Sequence, residues 1–214
     1  MTDKTSAALG NADWRDDIFD VLQEHDIRQA YHVPDAGHAR LIEHCQRSNS
    51  IRTVPLTTEE EGIALAAGAW MGGQRSVTLM QSSGVGNTIN LMGLTKTLRF
   101  PFLTLITMRG DYGEFNSWQF PMGQGTPKVL EAMGVLIYSV DKAEDVRATV
   151  DAATRAAFNA VLAMMVGQVA LGIATVVTVA HMHVAITHQV GAILLWVLII
   201  RARHLAQYPV AGSI

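Results

Sequence analysis

A chain of 214 residues is long enough for one good core, or for one domain with an appendage. A net charge of −3 gives no basic stripe of the kind a nucleic-acid binder carries. The single cysteine, Cys45, excludes an internal disulfide and suits a reducing compartment. The opening MTDKTSAALGNADWRDD lacks the apolar stretch of a signal peptide, so residues 1–12 are expected to form a disordered N-terminus. The averages hide a break in composition. Up to Phe158 the residues are an ordinary mixture, whereas Asn159 to Ile200 contains no Asp, Glu, Lys or Arg.

Asp13 is placed to cap a helix over Trp14 to Glu24, where Trp14, Ile18, Val21 and Leu22 recur at helical spacing. A short strand over Gln29 to Val33 runs into the turn Pro34-Asp35-Ala36-Gly37. Ala39 to Arg47 reads as the next helix and Ile51 to Leu56 as a second strand. Thr57-Thr58 followed by Glu59, Glu60 and Glu61 opens a helix that reaches Met71, and Gly72-Gly73 ends it. A third strand over Ser76 to Met80 leads to a polar loop, Gln81 to Asn87, and a helix from Thr88 to Thr97. Phe102 to Met108 is a fourth strand, followed by a long loop from Arg109 to Gly125. Thr126 to Met133 is read as a helix, Leu136 to Val140 as a fifth strand and Ala143 to Phe158 as a closing helix.

Strands of this length alternating with helices predict an α/β fold, a parallel sheet with helices on both faces. Ligands of such sheets gather at the carboxyl ends of the strands. Those ends carry Pro34-Asp35, Glu59, Gln81-Ser82-Ser83 and Arg109-Gly110-Asp111, which marks one rim as the site. The Gln81–Asn87 loop offers amides, hydroxyls and glycine-freed backbone N–H groups, but it lacks the Gly-Lys-Ser/Thr of a nucleotide phosphate loop.

The runs YHVPDAGHARLIEHC (31–45), TTEEEGIALAAGAWMGG (57–73), VTLMQSSGVGNTINLMG (77–93) and FLTLITMRGDYGEFNSWQFPMGQGTPKVLEAMG (102–134) follow one another with few gaps. Together they resemble the alpha-type subunit of sulfopyruvate decarboxylase and the amino-terminal part of phosphonopyruvate decarboxylase. The resemblance implies the pyrimidine-binding (Pyr) domain of a thiamine-diphosphate fold over residues 13–158. It also implies that a Glu at the start of the second sheet-flanking helix hydrogen-bonds N1′ of the cofactor's aminopyrimidine and favours its imino form. The fixed interval that the resemblance implies between this Glu and the small-residue end of the helix, counted back from Gly68 in ALAAG, selects Glu59 from the three acids, and the first residue of that helix faces the rim. The ordinary alternative makes all three carboxylates partners of the helix dipole.

By the same resemblance Pro34, Asp35, Ser83 and Asn87 join Glu59 around the cofactor, while His38, Gln81, Ser82 and Arg109 face the substrate. His38 is equally readable as a surface histidine, and Arg109 as an ion-pair partner of Asp111 or Glu114. Trp118, Phe120 and Met122 are open to reading as a lid or as a subunit contact. The small face Gly62, Ala64, Ala66, Ala67, Gly68 and Ala69 suits close helix packing, in the resemblance against a partner subunit. The family holds Mg²⁺ and the diphosphate on a second domain with a Gly-Asp-Gly motif. This chain lacks that motif, so a beta-type partner subunit is expected to bring the metal, in an assembly of dimer or tetramer type.

The tail reads differently. Ala160 to Ala180 is a run of 21 uncharged residues, long enough to cross the roughly 30 Å core of a bilayer. His181-Met182-His183 makes a turn, and Val184 to Ile200 is a second apolar run. Arg155 before the first run and Arg201 and Arg203 after the second predict a two-helix transmembrane hairpin over 159–204 with both ends cytoplasmic, followed by a tail over 205–214. That would tether a cytoplasmic domain to the inner membrane. MMVGQVALGIATVVTV and VAITHQVGAILLWVLIIRARH resemble the last two membrane helices of heme A synthase, where a His in a His-Gln pair ligates heme. His188-Gln189 matches that pair and makes His188 a weak heme-ligand candidate, since the opposing ligand's helix is absent. Two origins remain open: a membrane-tethered subunit, or a rearranged remnant joining two unrelated pieces. The want of a linker favours the second.

Overall fold

The computed structural model describes residues 13–111, 113–177, 186–195 and 197. The predicted disordered stretch 1–12 and the tail 205–214 lie outside them. Helix α1 (Trp14–Glu24) starts where Asp13 accepts a hydrogen bond from the Arg15 backbone N–H at 2.9 Å, and it buries Ile18, Val21 and Leu22. Then follow β1 (Ile27–His32), α2 (Ala39–Arg47), β2 (Arg52–Pro55), α3 (Glu59–Met71) and β3 (Arg75–Gln81). The chain continues through α4 (Ser82–Thr88), α5 (Gly93–Leu98), β4 (Leu103–Thr107), a 3-10 turn (Ser117–Gln119), α6 (Phe120–Ala132), α7 (Val146–Phe158) and α8 (Ala160–Val177).

The four strands form one parallel sheet in the order β2-β1-β3-β4. Alternation along the strands feeds two cores. Ala30, Val77, Leu79 and Leu103 pack with Val21, Leu22, Leu41, Cys45 and Val150 of α1, α2 and α7. Tyr31 and Met80 pack on the other face with Ile63 and Ala67 of α3, Val85 of α4 and Leu130 of α6. Helices therefore cover both faces, as expected for a parallel sheet whose central strands are apolar on both sides. Cys45 is fully buried, and burial pushes its thiol up to about 12.

Four expectations are corrected. Leu136 to Val140 forms no strand, so β4 is an edge of the sheet among the described residues. That segment divides its side chains instead of pairing its backbone. Ile137 packs on one core and Val140 on the other, Leu136 is 74% exposed, and a cavity of about 1020 Å³ separates the segment from β4. The Gln81–Asn87 loop is mostly helix α4. Its Ser and Gly residues are poor helix formers, but Ser82, Gly84, Val85 and Thr88 are buried against neighbours, and packing overrides propensity. The helix expected from Thr88 to Thr97 is accordingly split at 89–92. Finally, α6 starts at Phe120 rather than at Thr126, with Pro121 in its first turn, where the missing N–H is harmless.

Asn159 alone separates α7 from α8. Helix α8 coincides with the first apolar run as far as Val177, and residues 186–195 of the second are helical. Among the described residues no helix is long and apolar enough to cross a membrane. Residues 184–185, 196 and 198–200 of the second run, the end of the first run at 178–180 and the expected turn at 181–183 lie outside the described residues.

Candidate active site

The sheet's carboxyl-terminal rim gathers four connections, and the three acids that open α3 separate there by position. Glu61 is exposed, and its carboxylate accepts from the Thr57 backbone N–H at 2.9 Å. Glu60 accepts from the Thr58 hydroxyl at 2.9 Å. These two finish the helix start. Glu59 is 7% exposed and turns toward α4, where its Oε2 accepts from Asn87 Nδ2 at 2.9 Å. Its other oxygen lies against Gly84, where any Cβ would overlap the carboxylate. Among the described residues no cation is paired with Glu59, so a buried acid is left facing a neutral amide. Burying a carboxylate without a cationic partner is costly, which sets it apart from its two capping neighbours.

Helix α4 is fixed by its own small residues. Ser82 Oγ, fully buried, accepts from the Arg109 backbone N–H at 3.0 Å and ties the end of β3 to the end of β4. Thr126 of α6 donates its hydroxyl hydrogen to the Met122 carbonyl at 2.7 Å, and the Ser82 carbonyl lies 3.3 Å from the same oxygen. Gly123 permits the crossing, because a Cβ there would collide with the Arg109 carbonyl. Ser83 is half-buried, and Pro34 and Asn87 are exposed on the same rim.

The loop after β1 is more buried than a surface loop. Asp35 Oδ2 accepts from the Thr107 hydroxyl at 2.7 Å, and His38 Nδ1 lies 3.6 Å from the same oxygen. His38 is 2% exposed, so the surface-histidine reading is corrected. Burial pushes its imidazole down to about 4, against the opposing pull of the Asp35 charge. His32, the last residue of β1, is 4% exposed and lowered by burial in the same way. Among the described residues neither Nδ1 has a hydrogen-bond partner. His32 was not singled out from the sequence; its one signal is its place immediately before the Val33-Pro34 turn.

Arg109 makes a two-pronged ion pair with Glu114, Nε to Oε2 at 2.6 Å and NH2 to Oε1 at 2.9 Å. Its guanidinium holds the Glu114 carboxyl down at about 2. The third arm, NH1, reaches Gln81 Oε1 at 3.4 Å. The ion-pair reading of Arg109 is thus realised with Glu114, while the guanidinium stays at the rim. Trp118 is exposed on the loop beyond. In the tail, His188 lies over Gly172 at the wall of an apolar cavity of about 520 Å³, and its Nδ1 is buried without a hydrogen-bond partner among the described residues.

Comparison with known proteins divides the chain between residues 120 and 129, ahead of the break in composition at Asn159. Residues 129–200 match the family described as Cytochrome oxidase assembly protein. The chain is 54% identical over 68 residues to the heme A synthase of Cereibacter sphaeroides, which is 32% of this chain and only 17% of that protein. It is 37% identical over 123 residues to the sulfopyruvate decarboxylase subunit alpha of Methanococcus maripaludis, covering 57% of this chain and 74% of the relative. Among solved structures, a thiamine diphosphate-dependent 4-hydroxybenzoylformate decarboxylase of Rhodococcus jostii superposes with a TM-score of 0.52 over 67% of this chain, which spans 27% of that structure. At 16% identity that likeness shows the fold alone. Residues 13–120 match the family described as Thiamine pyrophosphate enzyme, N-terminal TPP binding domain, half of the chain, and the chain belongs to that family.

Proposed function

We propose that residues 13–158 form the thiamine-diphosphate-binding domain of an alpha-type subunit, part of a decarboxylase for a small anionic 2-oxo acid of the sulfopyruvate kind. The observation that carries the reading is Glu59: a buried acid at the first turn of α3, on the rim, with a neutral amide as its partner. Such a group suits an uncharged ring nitrogen that shares a proton with it, which is what the aminopyrimidine offers. Thiamine diphosphate, when bound, supplies the nucleophilic carbon that adds to the keto group and takes up the electron pair released with CO₂.

The chain's own residues then have distinct tasks. Glu59 holds and returns a proton at its carboxylate. Asp35, Ser83 and Pro34 line the approach to it, and Gln81, Ser82, His38 and Arg109 form the outer part of the rim. With Arg109 already neutralised by Glu114, its NH1 arm is what remains for an anionic tail. The sequence lacks Gly-Asp-Gly, so in this proposal Mg²⁺ and the diphosphate are held by a beta-type subunit. Relatives named as subunit alpha support such a partner. Coexpression with a beta-type subunit bearing that motif tests the reading: CO₂ release from sulfopyruvate that requires thiamine diphosphate and Mg²⁺ is expected, and its absence from an assembled complex contradicts it.

A second reading is favoured by the tail's similarity to heme A synthase, which exceeds the front's similarity to its own relatives in identity. In it the segment 159–204 is a membrane-tethering hairpin, and the chain is a non-catalytic fusion or gene remnant. An alkali-resistant association with membranes, together with no thiamine-dependent turnover in the complex, is the outcome that would favour it.

A further inference from the structure

Two features of α4 converge on one side chain, and they lie one helical turn apart. Gly84 is where the Glu59 carboxylate rests, and no residue with a Cβ fits beneath it. Asn87, three residues on and on the same face of the helix, donates Nδ2 to Oε2 at 2.9 Å. Helix α4 is itself held at its first residue, where Ser82 Oγ accepts from the Arg109 N–H and the Ser82 carbonyl lies 3.3 Å from the Thr126 hydroxyl, and it is buried at Gly84, Val85 and Thr88. The carboxylate is therefore seated on a fixed element.

We propose that Asn87 is a positioning residue for Glu59, acting through Oε2 and not by touching the cofactor, with Gly84 as the seat that makes the contact possible. This rests on the reading of Glu59 given above. The chemistry follows from the donor inventory. Asn87 Nδ2 only donates, so Oε2 is held as an acceptor and cannot turn an O–H toward it. When the acid is protonated, the better acceptor, the carbonyl-type oxygen, is favoured at Oε2 beside Nδ2 and the hydrogen at Oε1, the oxygen over Gly84. One rotamer and one protonated oxygen are thereby selected, and a proton shared with a ring nitrogen needs both. Asn87 is thus moved from the group that lines the cofactor to the group that orients the acid.

The test uses the complex with the beta-type subunit and compares wild type with Asn87→Ala, Asn87→Asp and Glu59→Gln. Asn87→Asp keeps the volume but has no N–H to donate, which guards against a cavity effect in the alanine variant. Circular dichroism and assembly with the partner serve as controls for folding. For both Asn87 variants kcat is expected to fall about 10- to 100-fold, the worth of a hydrogen bond to a charged group. KM and the affinity for thiamine diphosphate, read by tryptophan fluorescence, are expected to stay within about threefold of wild type. Deuterium exchange at C2 of the bound cofactor, followed by quenched NMR without substrate, is expected to slow by the same factor as kcat. Loss of cofactor affinity of about tenfold or more with unchanged exchange at saturation makes Asn87 a direct contact and overturns the proposal. Wild-type values in every readout, beside an inactive Glu59→Gln, overturn it while leaving the role of Glu59 intact. An active Glu59→Gln removes the underlying reading, and the role of Asn87 with it.

Discussion

Glu59 and His38 are both buried at the same rim, and they illustrate two ways of placing a titratable group. Glu59 has an amide donor and a glycine seat, so its carboxylate has a defined place. His38 has no hydrogen bond at Nδ1, and burial pushes it down to about 4, below its ordinary value of 6.5. The folded state therefore refuses a proton that the unfolded chain accepts between those two values. Stability is full above the unfolded value and falls as the pH drops toward the folded one, by on the order of 3 kcal/mol for this group. His32, lowered in the same direction, adds to the loss in the same window. Urea unfolding at pH 7.5 and at pH 5 is expected to show a lower midpoint in acid, and His38→Gln is expected to flatten the dependence. An equal acid loss in His38→Gln would remove this histidine as the cause. The acid triplet before a small-residue helix made Glu59 legible in the sequence. His32 was not legible, because a polar residue ending a strand looks the same whether the loop beyond it covers it or not. His38 was read as a rim residue, but its burial depends on contacts made by chain segments distant in sequence.

At the scale of elements, α1, α2 and α3 have the bounds read from the sequence, because those signals are local, although only α1 has the expected side-chain cap and Thr58 makes none for α3. Helix α4 departs from its sequence signal. SSGVGNT reads as a loop from the preferences of Ser and Gly, yet the same small residues let the segment coil tightly against Glu59, Arg109 and α6. Where smallness is needed for close approach, propensity is a poor guide. Leu136 to Val140 fails in the opposite way. Its alternation is that of a strand, but a strand exists only through a ladder, and β4 provides none to it. Two substitutions distinguish the cases. Leu130→Ala, in the core against α4 and β3, is expected to cost about 2–4 kcal/mol, and Leu136→Ala, 74% exposed, less than about 0.5 kcal/mol. Denaturant unfolding measures both, and a large loss at Leu136 would mean that the segment is packed as a strand after all.

At the scale of the whole molecule, two sequences of different kinship share one chain, one matched over residues 13–120 and the other over 129–200, so that α7 and α8, with only Asn159 between them, both lie in the second match. The front part matches a thiamine pyrophosphate enzyme domain and carries a buried acid, Glu59, on its rim, but the sequence has no Gly-Asp-Gly motif. The proposed activity therefore depends on a partner. The tail was legible as apolar helix from the sequence, and the helices α8 and 186–195 agree with that much. The proposed tether rests on the tail's similarity to heme A synthase and on the apolar runs. The most direct test of the central claim is thiamine-dependent CO₂ release from sulfopyruvate by the reconstituted complex, wild type beside Glu59→Gln. A fall of about a hundredfold or more in kcat, with the complex intact and cofactor still bound, is the predicted result. Undiminished turnover by Glu59→Gln would contradict it.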